Sequence, residues 1–371
     1  MRILTVMTNS LEFNGISMSL LNYYKNLDKS KFQMDFAVPN KVDAKLKSII
    51  EENGNNVYEL IYNNKKMRLK KPVRYIRELR KITRQGNYDI VHAHGNSATL
   101  FLELYAAKKE NIKIRIAHSR NTMCDHKVLD KMLRPLFNKS YTHELACGKE
   151  AGKWLFNNDN FYVINNGKNV DEFKFNPKVR EEYRKKYNLE NNKVIGHVGN
   201  MWFQKNHEYL IKVFNELVKL DDSYKLLLLG DGNLKSDVEN MVKEYGLGDK
   251  VIFFGKTSDV ANLLQAMDIM VFPSRFEGFP NVLVEWQIAG LPSVISDKIT
   301  RDVKLTDLVD FMPIEDEPKV WAEHINGIKL ENREKNQTEI LEQIRKSGFD
   351  IKENTRYLES LYYKFYNELE R

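Results

Sequence analysis

Cysteine is scarce in this chain, because Cys124 and Cys147 are the only two among 371 residues. Their spacing matches no metal-binding pattern, so we expect a reducing, cytoplasmic setting without disulfides or structural zinc. Long apolar runs are lacking too, since none reaches the roughly 18 residues of a membrane-spanning helix. The first ten residues have no long apolar stretch and no small-residue cleavage site. We therefore expect a first strand there and not a signal peptide.

Acidic residues are few in the first half of the chain. The net charge is +7, yet residues 1–170 hold 29 Lys and Arg against 16 Asp and Glu. Residues 171–371 hold 29 basic residues against 35 acidic ones. This asymmetry predicts that the first half faces an anionic partner.

Short apolar strands alternate with amphipathic helices along the whole chain, from ILTVMT near the start to PSVIS near residue 295. This alternation predicts parallel sheets covered by helices on both faces. The pattern starts afresh near residue 193, so we predict a first domain at 1–170, a second at 171–350 and an amphipathic helix in 351–371. Ligands bind such sheets at the carboxyl ends of their strands, and we expect the site in a cleft between the two domains.

The sharpest motif is PSRFEGFPNVLVEWQIAGLP at residues 273–292. Glu277 follows a strand, Pro280 is predicted to open a helix, and Glu285 lies eight residues after Glu277. Free backbone N–H groups at such a helix start suit a diphosphate. The donors expected there lie between Gly278 and Val282 and include Phe279 and Asn281. The alternative interpretation is a loop acid and a surface helix acid.

This block resembles the E-x7-E signature of retaining glycosyltransferase family 4. Further matches follow in the same order along the chain. Asn14-Gly15-Ile16 resembles the family's glycine-bearing loop, HVGNMWFQKNHEYLIKVF at 197–214 its phosphate-binding stretch, and VINNGKNVDEF at 163–173 its interdomain segment. The stretch ISDKITRDVKLTDLVDFMP resembles the EpsF-type and capsular polysaccharide transferases.

The resemblance implies an α/β fold of the GT-B type, with two Rossmann-like domains facing across a cleft and a C-terminal helix that crosses back to the first. It also implies a nucleotide-sugar donor held by the second domain. Among such donors, the family resemblance favours a UDP-sugar. Transfer would retain the anomeric configuration without a metal or other cofactor. The acceptor would be a lipid-linked saccharide in bacterial capsule or exopolysaccharide biosynthesis.

The same resemblance implies roles for individual residues. Glu285 would bind the ribose hydroxyls and Glu277 would face the donor sugar. Lys205 would neutralise the diphosphate, although a solvated loop lysine is the alternative. The glycine-bearing loop at Gly15 would close over the donor phosphates. Gly255 and Lys256 would lie beside the nucleotide base. Asn200 stands where the family usually has an arginine, which shifts more of the neutralisation to Lys205.

Histidines mark the first domain. His118 ends the strand IRIAHS and resembles a family histidine that contacts the donor sugar and the acceptor. Relatives often have a second histidine where Arg120 stands, and we place Arg120 and His94 on the acceptor side. We expect His92 and His94, which alternate in IVHAHG, to point to opposite faces of the sheet, with one in the core. No carboxylate motif accompanies them, so no metal is expected.

The segment 65–84 carries ten Lys and Arg against one acid, and Val73, Ile76, Leu79 and Ile82 form an apolar stripe at intervals of three. This pattern predicts a basic helix on an anionic membrane surface, at the inner face of the membrane. The alternative is a helix packed on the sheet by that stripe. Aromatic residues are not interleaved with the charges, so nucleic acid is not an expected partner.

Two other functions stay open from the sequence. One is a UDP-sugar 2-epimerase of the same fold, which would need further acid and base carboxylates. The other is a catalytically silent, transferase-like partner subunit, which Asn200 favours. The presence of Glu277, Glu285 and Lys205 argues against the silent subunit.

Overall fold

The computed structural model describes residues 1–60 and 71–369, and the chain divides into two compact units. The first unit takes Met1–Gly167 together with the end of the chain from Ile351. The second unit takes Lys168–Asp350. Each unit contains its own parallel sheet.

The first unit is built on a seven-stranded sheet of parallel strands. They are β1 (Arg2–Met7), β2 (Gln33–Val38), β3 (Val57–Glu59), β4 (Ile90–Gly95), β5 (Ile114–Ser119), β6 (His143–Ala146) and β7 (Tyr162–Val163). Their spatial order is β3-β2-β1-β4-β5-β6-β7. The chain therefore builds outward in one direction from β1 and in the other from β4. The two loops that follow β1 and β4 diverge at this point, which leaves a crevice at the carboxyl ends of the strands.

Within residues 1–60 and 71–167, the first unit has six helices. They are α1 (Gly15–Asn26), α2 (Ala44–Glu51), α3 (Pro72–Gly86), α4 (Phe101–Lys109), α5 (Lys127–Asn138) and α6 (Lys149–Phe156). Helix α1 begins at Gly15 because the side chain of Asn14 caps it. Asn14 Oδ1 accepts the N–H groups of Ile16 at 3.1 Å and of Ser17 at 3.0 Å.

Helix α3 contains the described part of the basic segment, while residues 65–70 lie outside the described residues. Its buried positions follow one another at intervals of four or three: Tyr75, Leu79, Thr83 and Gly86. The predicted stripe packs on the unit except at its first position, because a helix turns every 3.6 residues and an interval of three drifts around it. Val73 is 71% exposed. Ile76 and Ile82 pack against the same core as Leu79.

The second unit has a six-stranded parallel sheet. Its strands are β8 (Lys193–Val198), β9 (Tyr224–Leu229), β10 (Val251–Gly255), β11 (Ile269–Phe272), β12 (Ser293–Ser296) and β13 (Val309–Met312), in the order β10-β9-β8-β11-β12-β13. The strand order reverses between β8 and β11. The sequence reading missed β13, because this edge strand exposes Asp310 and has no continuous apolar run.

Eight helices belong to the second unit. They are α7 (Val170–Phe173), α8 (Pro177–Lys186), α9 (His207–Leu220), α10 (Lys235–Glu244), α11 (Val260–Ala266), α12 (Val282–Ile288), α13 (Pro318–Asn326) and α14 (Arg333–Lys346). Two large apolar clusters fill the space between these helices and the sheet, with Trp286 and Trp321 fully buried in them. Asp221 ends α9 before β9, where it pairs with Lys193 at 2.9 Å.

The last helix, α15 (Ile351–Asn367), returns to the first unit and packs against α1. Its buried residues Leu358, Leu361, Tyr362 and Phe365 join the core beneath β1 and β2. The carboxylate of Glu359 also accepts the backbone N–H of Asp28 at 2.7 Å. Within residues 1–60 and 71–369, no helix has both the length and the apolar composition needed to cross a membrane.

Neighbouring tyrosines in α15 allow a matched test of its packing. Tyr362 is fully buried and Tyr363 is 40% exposed. We expect Tyr362→Ala to lower the free energy of unfolding by about 3 kcal/mol or more, because it leaves a cavity in the core. Tyr363→Ala should cost less than about 1 kcal/mol. Urea unfolding of both variants measures the difference, and equal losses would mean that α15 does not pack through Tyr362.

Candidate active site

In the second unit, the loops after β8 and β11 are joined at the reversal of strand order. The backbone N–H of Arg275 donates to the carbonyl of Gln204 at 2.8 Å. The side chain of Gln204 donates to the carbonyl of Phe276 at 3.0 Å, and that of Asn206 to Pro273 at 3.1 Å. The two loops therefore form one surface where a doubly wound sheet binds its ligand.

Lys205 and Glu277 meet on this surface. Lys205 Nζ lies 2.5 Å from Glu277 Oε1, and the two side chains are only 17% and 9% exposed. The ammonium also lies 4.5 Å from the centre of the Phe272 ring. Lys205 is therefore not a solvated loop lysine, and the structure brings two of the predicted site residues into direct contact.

Buried polar atoms around this pair have no hydrogen-bond partner among the described residues. They include Ser274 Oγ, Asn281 Oδ1, Asn206 Oδ1, His197 Nε2 and both ring nitrogens of His207. A buried polar group without a partner costs free energy, so such groups mark a place for a polar ligand or water. Burial, followed by the charge of Lys205, lowers the pKa of His207 to about 4. Burial, followed by His207, also holds the pKa of His197 well below its ordinary value.

The helix after Glu277 begins later than predicted. Helix α12 begins at Val282, and Pro280 precedes it, its carbonyl accepting the N–H of Leu283 at 3.1 Å. Pro280 therefore does not open the helix. Across the described part of the chain, no acceptor is recorded for the backbone N–H groups of Gly278, Phe279 and Asn281. These donors belong to a loop, whereas the prediction placed them at a helix end.

Glu285 lies in the first turn of α12 and is paired with a residue that the sequence reading did not single out. Lys168 Nζ lies 2.5 Å from Glu285 Oε1, with side chains 12% and 13% exposed. The backbone N–H of Lys168 is held by the carbonyl of Phe349 at 2.8 Å. Lys168 lay inside the quoted stretch VINNGKNVDEF, but nothing in one sequence relates it to a helix more than a hundred residues later.

Glycines shape the loop that carries Asn200. A Cβ atom on Gly230, whose φ is +139°, would lie 2.1 Å from the carbonyl oxygen of Gly199. A Cβ atom on Gly232 would lie 2.4 Å from the carbonyl oxygen of Met201. The loop after β9 therefore packs directly on the backbone of the loop after β8, and the side chain of Asn200 is exposed above them.

The remaining donor-side predictions also fall at carboxyl ends of strands or at the start of a helix. Gly255 is the last residue of β10 and adopts a φ of +65°, which favours glycine. Lys256 follows this edge strand of the sheet, and Gly15 is the first residue of α1 in the first unit.

In the first unit, three histidines lie together, which corrects one prediction. His92 and His94 do not point to opposite faces, because residues two apart in a strand share a face. Their ring centres are 4.1 Å apart, and His118 on the neighbouring strand lies 5.2 Å from His92 and 5.0 Å from His94. All three side chains are buried.

Arg120 sets the direction of the hydrogen bonds in this network. An arginine can only donate, so its contact of 3.2 Å makes His118 Nε2 an acceptor and puts the proton on Nδ1. His118 Nδ1 then donates to His92 Nε2 at 3.0 Å, and His92 Nδ1 donates to Tyr362 Oη at 2.8 Å. Burial and the nearby guanidinium lower the pKa of His92 to about 3 and hold that of His118 well below its ordinary value.

The cation of Arg120 has no carboxylate partner among the described residues. It is 7% exposed, and its second nitrogen donates to Ser19 Oγ at 2.9 Å. With His94, Asn96 and Asn121, it lines a cavity of about 70 Å³ at the crevice between β1 and β4. The cavity is therefore a buried, positively charged pocket next to the start of α1.

A metal ion does not suit the three histidines, even though their nitrogens lie within 4.8 Å of one another. His92 and His118 use their nitrogens for the hydrogen bonds just described. A divalent cation would also face the fixed positive charge of Arg120, 3.2 Å from His118 Nε2.

A cavity of about 890 Å³ in the second unit lies elsewhere. Asp268, Gly290 and Pro292 line it, and these residues precede β11 and β12. It therefore lies at the amino ends of the strands, where parallel sheets do not bind substrates. None of the predicted site residues lines it.

Comparison with known proteins agrees with this arrangement. The family Glycosyltransferase Family 4 matches residues 13–172, and the family Glycosyl transferases group 1 matches residues 179–347. A protein of Bacillus subtilis (strain 168), provisionally named glycosyltransferase EpsF, is 30% identical over 97% of this chain and 96% of that protein. The UDP-Gal:alpha-D-GlcNAc-diphosphoundecaprenol alpha-1,3-galactosyltransferase of Escherichia coli is 28% identical over 61% of this chain and 62% of that protein.

Solved structures show the same fold at lower identity. HepE of Anabaena in complex with UDP has a TM-score of 0.76 at 16% identity, covering 98% of this chain and 100% of that chain. A glycosyltransferase of Rickettsia africae has a TM-score of 0.77 at 18% identity, covering 98% of each chain.

Two Rossmann-like units with parallel sheets thus define the GT-B class of glycosyltransferases, and the predicted fold class is confirmed. The chain belongs to the glycosyltransferase family that includes EpsF of Bacillus subtilis.

The buried neutral histidines predict a loss of stability in acid. Below about pH 6.5 the unfolded chain binds protons that the folded chain refuses, so the free energy of unfolding falls with pH. For His207 the loss should extend down to its pKa of about 4, at about 1.4 kcal/mol per pH unit. His207→Phe removes this contribution, and it breaks no hydrogen bond recorded among the described residues.

Denaturant unfolding at a series of pH values tests this prediction. The decline between pH 6.5 and pH 4 should be shallower in His207→Phe than in the parent chain. His126→Gln, at an exposed histidine, is the control and should leave the slope unchanged. Equal slopes in all three proteins would show that His207 is not held neutral by the fold.

Proposed function

We propose that the protein is a retaining, metal-independent glycosyltransferase that moves a sugar from a UDP-sugar to a lipid-linked saccharide acceptor. The setting would be capsule or exopolysaccharide assembly, with the protein peripheral at the cytoplasmic face of the membrane. The relative EpsF, the E. coli transferase with its diphosphoundecaprenol substrate, and the UDP and UDP-glucose complexes of HepE support this choice.

The observation that carries the proposal is the Lys205–Glu277 pair on the joined loops of the second unit. Departure of a nucleoside diphosphate develops negative charge on the β-phosphate, which preorganised donors must stabilise. Lys205 supplies a positive charge there, and the loop N–H groups of Gly278 and Phe279 supply hydrogen bonds. Ser274 and Asn281 offer further polar atoms without partners in the described structure.

Glu277 would orient the donor sugar while Lys205 turns toward the diphosphate. Glu285 would accept hydrogen bonds from the ribose hydroxyls, and Lys168 would hold its carboxylate in place. The acceptor hydroxyl would approach on the face of the leaving group, and a β-phosphate oxygen would take its proton. In this front-side mechanism no protein side chain has to act as the base.

On the acceptor side, the first unit offers the pocket of Arg120 and His94. A buried guanidinium without a carboxylate partner in the described chain favours an anionic group, such as the phosphate of a lipid-linked saccharide. His118 accepts a hydrogen bond from Arg120, which would fix the orientation of the guanidinium.

Calorimetric titration with UDP, GDP and ADP, with and without Mg²⁺, tests the donor assignment. We expect UDP to bind in the micromolar range, independently of the metal, and Lys205→Ala to weaken it by about tenfold or more through loss of a charge-assisted contact. Lys219→Ala, at an exposed lysine on α9, should bind UDP like the parent chain. A preference for GDP would change the donor class, and no binding to any nucleotide would reject the proposal.

Glu277→Gln tests the catalytic side of the same loop. The amide keeps the size of the side chain but loses the charge that steadies the sugar, so we expect kcat to fall by about a hundredfold with UDP affinity retained. The measurement is release of UDP from a UDP-sugar with acceptor present. Glu208→Gln, at an exposed glutamate on α9, is the control. Full turnover by Glu277→Gln would rule out this role.

A further inference from the structure

Large apolar side chains are exposed along one face of α5, in the first unit. Val128 is 76% exposed, Met132 69% and Leu136 48%, and Met123 just before the helix is 62% exposed. Residues four apart lie above one another on a helix, so Val128, Met132 and Leu136 form a continuous stripe. A row of large apolar groups in water is costly, and such a patch marks an interaction surface.

The opposite face of α5 is firmly attached to the unit. Phe137 is fully buried, and Asp130 accepts the backbone N–H of Ala98 at 2.7 Å. Arg134 pairs with Asp130 at 2.9 Å and donates to the carbonyl of Leu155 at 2.7 Å. The stripe therefore faces solvent, on a helix that is held to the unit through its opposite face.

Lysines accompany the stripe. Lys127 and Lys131 each precede a stripe residue by one position, so they follow one edge of it, and Lys139 lies at its end. All three are exposed, and none forms an ion pair with a described residue. The one acidic residue of the helix, Asp130, is buried and already paired with Arg134.

We propose that this face of α5, defined by Met123, Val128, Met132, Leu136 and the adjacent lysines, is the surface that docks on an anionic lipid bilayer. Apolar side chains enter the headgroup region of a membrane, while flanking lysines reach the anionic headgroups. The inference rests on the proposed use of a lipid-linked acceptor and names the surface that meets the lipid. It differs from the sequence-based assignment, which gave this role to the segment 65–84.

Helix α3, the described part of that segment, does not present such a face. Leu79 is buried in the unit, and Arg80 and Arg84 both pair with Glu110, at 2.6 and 2.8 Å. Val73 is its one strongly exposed apolar side chain in the described residues, and it stands alone. Apolar and basic groups are therefore both exposed on α5, whereas on α3 the apolar groups other than Val73 pack within the unit and basic groups such as Arg77 and Lys81 stay exposed.

The position of α5 fits a lipid-linked substrate. The loop that leads into α5 begins at Arg120 and Asn121, which line the charged pocket of the first unit. The carbonyl of Met123 is tied to the same pocket by the side chain of Asn96, at 2.6 Å. A bilayer on the stripe would thus lie next to the pocket that we assign to the acceptor.

Vesicle flotation with the full chain tests the surface. The parent protein should float with phosphatidylcholine vesicles that contain phosphatidylglycerol, and much less with phosphatidylcholine alone. Val128→Glu with Met132→Glu should reduce partitioning by about tenfold or more, because two apolar side chains no longer enter the interface. Lys127→Gln and Lys131→Gln should each reduce binding to the anionic vesicles roughly fivefold.

The matched control places the same two glutamates at exposed apolar positions elsewhere. Val73→Glu with Leu220→Glu changes the net charge equally, at side chains 71% and 45% exposed. This variant should float nearly as well as the parent chain. Equal losses in both double variants would mean that charge alone governs binding, and would overturn the assignment to α5.

Two further readouts separate the possible failures. UDP titration of each variant should give the parent affinity, which shows that the fold and the donor site are intact. A parent chain that binds UDP but does not float with anionic vesicles would refute the docking surface alone. A parent chain that is dimeric in size-exclusion chromatography with light scattering, and monomeric as Val128→Glu with Met132→Glu, would assign the stripe to a second copy and overturn the proposal.

Discussion

The reversal of strand order inside each parallel sheet is the constraint on which both candidate sites depend. Right-handed crossovers place helices on both faces, so ligands bind at the carboxyl ends of strands whose loops diverge. In the second unit the loops after β8 and β11 meet there and carry Lys205 and Glu277. In the first unit the loops after β1 and β4 leave the pocket of His94 and Arg120.

Charge is arranged differently in the two pockets. In the second unit, Glu277 pairs with Lys205 and Glu285 pairs with Lys168. These ion pairs limit the free-energy cost of keeping the two carboxylates largely buried. In the first unit, one guanidinium lacks a carboxylate partner in the described chain and is supported by neutral histidines and hydroxyls. The site of the second unit suits a diphosphate, which can replace Glu277 as the partner of Lys205. The guanidinium of Arg120 in the first unit suits an anionic group of a substrate.

Several details show where pattern reading reached its limit. The periodicity of α9 and α15 and the run of short strands predicted two units with parallel sheets, since burial on two faces demands continuous apolar strands. Edge strand β13 escaped because it is half exposed. The stripe of α3 was assigned at intervals of three where a helix turns every 3.6 residues, so Val73 falls outside the packed face. The strand period of two was misapplied to His92 and His94. Helix α12 begins at Val282, because the hydrogen bonds of the preceding loop determine where it starts. The presence of Pro280 alone does not predict that position.

The sequence by itself determined the fold class and the residue types at the ends of the strands, because hydrophobic periodicity and local motifs act over a few residues. Only the tertiary structure decided which of these residues meet. The contact of Lys168 with Glu285 spans 117 residues and the hydrogen bond of His92 to Tyr362 spans 270, and no local pattern encodes either. The tertiary structure also decided that α5, and not α3, leaves its apolar side chains in water, because packing against β-strands and neighbouring helices determines which face of an amphipathic helix is buried.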